Sequence, residues 1–181
     1  PLDVRLGNQH YVSYHFKIHF NSQNREYFTS SGARFETEYG LYTDNFVKYN
    51  DHNPFSVVSA RWQIAFRLNN RLVLQPMAYG RVVWGDDIPL CQFNVVGSEM
   101  FGHYFSQQMP FSGINNVEYV ENAFVGCQFQ LQQRIMDNNY LAFAMSLGEA
   151  NDKLKDIFQS KLMHGYRFTY SYDSFFGPLG A

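Results

Sequence analysis

Charge is scarce in this chain, and that scarcity is the first constraint on what it can be. Asp, Glu, Lys and Arg make up 17% of its 181 residues, against about 25% in an average soluble domain. A small soluble β-barrel needs a charged exterior, so the deficit favours an exterior that meets lipid. The formal net charge of −2 argues against a nucleic-acid binder, which would show a basic face. Two cysteines, Cys91 and Cys127, are too few for a disulfide framework. No apolar run approaches the ~18 residues of a membrane-crossing helix. No repeat of roughly 20–50 residues is present, which excludes a solenoid or propeller. An initiator Met, a signal peptide and targeting motifs are all missing. Together with an end at Gly177-Pro178-Leu179-Gly180-Ala181, a turn with a strand just starting, this leads to the expectation of a fragment of a longer protein.

What is abundant is aromatic residues, at 18%, and a two-residue rhythm. Over 55–68, Val58, Ala60, Trp62, Ile64, Phe66 and Leu68 alternate with Ser59, Arg61, Gln63 and Arg67. Successive side chains on a strand point to opposite faces, so this is a strand with one apolar and one polar side. The same pattern predicts strands near 10–20, 33–43, 71–84, 122–135, 140–148 and 164–173, with an eighth beginning after Gly177. Their length suits a tilted bilayer-crossing strand of about 9–11 residues or more.

Connections from the second strand onward read long, short, long, short, long, short. Bacterial outer-membrane barrels alternate in this way, with short periplasmic turns and long extracellular loops. Asn69-Asn70 and Asp137-Asn138-Asn139 are the short ones, the former suited to φ > 0 in a tight hairpin. Residues 44–54, 85–117 and 149–163 are the long ones, 85–117 being the longest irregular stretch. A short helix is predicted within 149–163, capped by Asn151 and carrying Leu154, Ile157 and Phe158 on one face. Tyr11, Tyr42, Phe55, Trp84, Tyr140 and Tyr172 fall near strand ends, where aromatic girdles sit. A soluble lipocalin-like carrier would show the same alternation turned inside out. Strand length, low charge and terminal aromatics favour the membrane.

Three segments resemble the surface-antigen (barrel-assembly) superfamily of outer-membrane proteins, in particular the C-terminal barrel on Bacteroidetes patatin-like proteins. Arg25-Glu26-Tyr27-Phe28-Thr29-Ser30-Ser31-Gly32-Ala33-Arg34-Phe35 resembles that family's "YFPTxG" turn, with Thr29 in the place of Pro. Tyr172-Asp173-Ser174-Phe175-Phe176-Gly177-Pro178-Leu179 is similar to its "SPLGPL" turn. Val96-Gly97-Ser98-Glu99-Met100-Phe101-Gly102-His103-Tyr104-Phe105 lies where the family folds a loop inward, with His103 in the place of the motif's Arg. The resemblance covers about residue 10 to the end. It implies an all-β fold, the C-terminal part of a sixteen-stranded antiparallel transmembrane β-barrel. On this view residues 1–181 are one barrel-domain fragment of about eight strands, with the closing strand missing. It implies a bacterial outer-membrane location, and lipid and barrel-associated membrane or periplasmic proteins as partners. It also implies an upstream patatin-like hydrolase that the barrel anchors and whose product or polypeptide it helps across. An assembly or secretion pore of the same superfamily is the alternative. Inward-loop candidates are Gly97, Gly102, His103 and Tyr104.

No catalytic, cofactor or metal site is expected in the chain itself. The nucleophile elbow of a patatin-type hydrolase needs G-x-S-x-G, and Gly97-Ser98 lacks that spacing. His15 and His19 share a face about 13 Å apart, too far to chelate one ion, while His103 and His164 are isolated. Asp86-Asp87 alone cannot supply the six or more oxygens of a Ca²⁺ site. Lumen-facing candidates are His15, Lys17, Arg34, Glu36, Glu38, Arg61, Arg67, Arg81, Arg134 and Arg167. Lipid-facing candidates are Phe16, Ile18, Trp62, Ile64, Phe66, Leu72, Leu74, Phe129, Leu131, Phe143, Phe168 and Tyr170.

Overall fold

The structure, a computed structural model, describes residues 11–43, 54–85, 88–97, 107–114, 119–159 and 161–180. Its strands are β1 (Val12–Asn21), β2 (Gly32–Thr43), β3 (Phe55–Arg67), β4 (Leu72–Gly85), β5 (Asn94–Val96), β6 (Gln108–Met109), β7 (Tyr119–Glu121), β8 (Ala123–Met136), β9 (Asn139–Asn151), β10 (Met163–Ser174) and β11 (Gly177–Gly180). Eight of them form one antiparallel sheet in the order β1-β2-β3-β4-β8-β9-β10-β11. Every neighbour in that sheet is also the next long strand in the chain, so the sheet is an up-and-down meander.

Register makes the two-residue rhythm collective. Phe16 lies opposite Tyr39, Tyr39 opposite Val58, and Val58 opposite Val82. Directly paired residues share a face, and a one-residue slip would send each strand's apolar set to the wrong side. The result is one continuous apolar face across the sheet. Phe16 and Phe168 on it are 64% and 67% exposed, which is the reverse of a soluble barrel with an apolar interior.

The long connections differ from their sequence reading. Residues 85–117 are not irregular throughout: β5 pairs parallel with β6 and antiparallel with β7 in a separate three-stranded sheet. These strands are only two or three residues long, too short for alternation to register in a sequence. β9 extends to Asn151, beyond the expected 148, because Glu149, Ala150 and Asn151 pair with Val125, Phe124 and Ala123. The predicted helix is a single 3₁₀ segment, Leu154–Gln159. Asn151 does serve its start, its Oδ1 accepting from the Lys153 main-chain N–H at 3.2 Å, and Ile157 is fully buried.

The short turns also carry a correction. Phe28 is the one non-glycine with positive φ among the described residues, so Asn69-Asn70 makes no left-handed turn. Instead Asn69 Oδ1 accepts from the main-chain N–H groups of Arg71 (2.8 Å) and Leu72 (2.9 Å). A side-chain acceptor closes the hairpin where backbone geometry was expected to.

Candidate functional site: the inner face and its covering segment

The second face of the sheet is polar, and the two carboxylates of β2 on it are ion-paired in place. Glu38 meets His15 Nδ1 at 2.9 Å and Lys17 Nζ at 3.4 Å. Glu36 accepts from Arg34 Nη2 at 2.7 Å and lies 3.3 Å from His19 Nε2 and 4.0 Å from Arg61 Nη1. These ladders follow from register, since His15, Lys17, His19, Glu36 and Glu38 alternate on the same face of β1 and β2, and Arg61 lies opposite Glu36 on β3. Arg67 reaches Ser30 Oγ at 2.8 Å.

Over the β4, β8 and β9 part of this face lies the segment between β4 and β8. Val96, Met109, Phe111 and Ile114 from the segment close a buried cluster with Met77, Tyr79 and Phe124 from the wall. Burying such side chains stabilises by about 1.5–3 kcal/mol each, so the segment is docked rather than draped. Polar contacts set its position. Arg81 Nη1 donates to the Gln92 carbonyl (2.8 Å) and Asn94 Oδ1 (2.6 Å). Tyr79 Oη donates to the Pro110 carbonyl, and Ser146 Oγ bonds to Ser112 Oγ at 2.9 Å. Arg81 is therefore covered wall, not open lining.

The wall is thinned to receive the segment. Gly126 and Gly148 are paired across β8 and β9, and a Cβ at either would come within 3.1 Å of the Phe124 ring. A Cβ on Gly165 would sit 1.8 Å from the Ser112 carbonyl oxygen. At Gly165 another backbone approaches the strand closely, while at Gly126 and Gly148 aromatic rings do, and glycine inside a strand is the sequence signal of such approach.

All twelve apolar candidates, Phe16 through Tyr170, lie on the outer face. The polar set lies on the inner one, with Arg134 toward the β8 end and Arg167 opposite Ala144. Of the inward-loop candidates, Gly97 is described, its N–H donating to the Met109 carbonyl at 3.0 Å. Gly102, His103 and Tyr104 lie outside the described residues, as do Ser98, Asp86 and Asp87. The girdle expectation needs correcting. Trp84 and Tyr172 are on the outer face and exposed, whereas Tyr42 and Phe55 stack at 4.6 Å on the inner face. Tyr11 packs edge-on against Phe55, and Tyr140 stacks on Phe28 at 4.1 Å. Tyr42, Phe55 and Tyr140 have the parity of the polar side, so they seal the ends of the interior rather than meeting the membrane interface.

Near the segment's far end, β7 brings Glu121 beside Asp152. Partial burial, with the hydrogen bond and charge of Asp152, pushes the Glu121 carboxyl up to about 7. Among the described residues no group of three or more His, Cys, Asp or Glu is placed to hold a metal ion, and no helix is long and apolar enough to cross a membrane.

An apolar outer face, a polar inner face and a docked inward segment, carried on strands of 10–14 residues, define a stretch of wall from an antiparallel transmembrane β-barrel. The sequence model of the OMP85 superfamily matches residues 2–181, and the chain belongs to that superfamily, whose members are outer-membrane β-barrels. No curated protein matches it significantly.

Proposed function

We propose that this barrel acts as an outer-membrane anchor for a patatin-like acyl hydrolase domain carried upstream of Pro1, and that its interior is closed at rest. The docked segment carries the reading. Val96, Phe111 and Phe124 are at most 2% exposed, so the chain's own residues fill space that an open conduit would leave to water. The apolar face holds the barrel in lipid, and the ion-paired inner face supports the wall. The alternative is an assembly or secretion pore of the same superfamily, in which the segment moves aside. It draws on the hydrated charges of β1–β3 that the segment leaves uncovered.

Fractionation of cells making the full-length protein tests the anchor. A G-x-S-x-G motif upstream of Pro1, with acyl-hydrolase activity that stays in the outer membrane and is released when residues 1–181 are deleted, is the expected result. Upstream repeats of transport-associated domains without that motif, together with steady conductance in planar bilayers, would replace it with the pore.

A further inference from the structure

At the hairpin end of the sheet a second feature faces inward, separate from the docked segment. Arg25, Arg67, Arg71 and Arg134 line one polar pocket of about 200 Å³, and no Asp or Glu is among its lining residues. The four come from four places: the β1–β2 connection, the end of β3, the β3–β4 hairpin and the end of β8. Arg67 and Arg71 flank one hairpin, but chain proximity does not account for Arg25 and Arg134 meeting them. Asp173, 3.8 Å from Arg25, is the one carboxylate paired with any of them among the described residues.

The pocket's roof is built rather than loose. Phe28 adopts φ 50°, a conformation that costs free energy for a bulky residue, and stacks on Tyr140 with rings 12° from parallel. Thr29 is buried, its carbonyl accepting from Gln75 Nε2 at 2.7 Å, and its Oγ1 donates to the Arg25 carbonyl at 2.8 Å. Ser30 ties the roof to Arg67 at 2.8 Å and to Asn24 at 3.0 Å. The connection is thereby folded over the inner face, which brings Arg25 into the same pocket as Arg71 and Arg134.

We propose that this pocket binds a phosphate group, presented by a soluble phosphate compound or by a phospholipid headgroup. Guanidinium groups match the paired oxygens of such anions through parallel N–H donors. Like charges converging from four elements repel one another until an anion occupies the space between them. The volume suits one tetrahedral headgroup better than a length of acidic peptide.

The test uses the full-length protein in neutral-detergent micelles. Inorganic phosphate is titrated in one arm and short-chain phosphatidylglycerol in the other, each against chloride at matched ionic strength. Saturable binding in at least one arm is expected, weakened tenfold or more in R71Q/R134Q. Both arginines are exposed, so that variant should keep its sheet circular dichroism. R25Q, in the connection that roofs the pocket, provides a second check. Binding in the phosphate arm alone identifies a soluble ligand, and binding in the lipid arm that phosphate does not displace identifies a headgroup. No binding beyond chloride in either arm, equal binding by the variants, or binding of a glutamate-rich peptide in place of both phosphates would overturn the proposal.

Discussion

Arg81 and Asn94 hold each other at two points: Arg81 Nη1 donates to Asn94 Oδ1 at 2.6 Å, and Asn94 Nδ2 donates to the Arg81 main-chain carbonyl at 2.9 Å. One residue belongs to the barrel wall and the other to the first strand of the inward segment, and both are buried. This reciprocal pair is where the segment is pinned to β4.

N94A should therefore loosen the segment while leaving the eight-stranded sheet intact. Loss of a hydrogen bond to a charged donor costs about 1.5–3 kcal/mol. Hydrogen exchange should speed up in residues 88–97 and stay slow in β3 and β9. Unchanged exchange in 88–97 would show that the apolar cluster alone holds the segment.

Gly165→Ala tests the close approach from the other side. The added methyl would overlap the Ser112 carbonyl, and overpacking of this kind costs about 1–3 kcal/mol. Protease cleavage within 107–114 should rise well above that of the parent protein. If the segment stays protected, the wall and segment are farther apart than they stand in this structure.

Depth should govern charge insertion on the outer face. Phe129 sits near the middle of β8, whereas Phe66 is one residue from the end of β3. Arginine on a lipid face costs about 2–4 kcal/mol at the bilayer midplane and about 0–1 near the interface. Unfolding from phospholipid vesicles should thus penalise F129R severely and F66R mildly. Equal, negligible costs would mean that this face does not meet hydrocarbon.

Glu121 makes the segment pH-dependent. Its carboxyl is raised to about 7 by partial burial and by Asp152, so the folded segment binds this proton more tightly than the unfolded chain does. Docking is then most stable below the ordinary carboxylate range, weakens as pH rises through that range towards 7, and levels off above it. Hydrogen exchange at 119–121 should accelerate over that interval, and E121Q should remove the trend. A trend that survives E121Q would assign it to another group.

Alternation made the strands legible because each wall residue has one face to choose and the choice repeats every two residues. Val58, Trp62 and Phe66 announce β3, and observed boundaries fall within a few residues of those expected. The apolar and polar candidates separated onto opposite faces of the sheet by the same parity. Tyr42 and Phe55 lie near strand ends as girdle residues do, but their parity puts them on the polar side. β5, β6 and β7 were not legible, since two or three residues cannot display a period.

The amino-acid order alone determined long strands with one apolar and one polar face, since that depends on neighbours two residues apart, and the alternation of short and long connections between them. Only the tertiary structure decided which residues of the longest connection dock on the wall, that Arg81 is sealed beneath Asn94, and that Arg25, Arg67, Arg71 and Arg134 share one pocket. Those outcomes depend on contacts between strands far apart in sequence, where register and backbone approach, rather than local pattern, set which side chains meet.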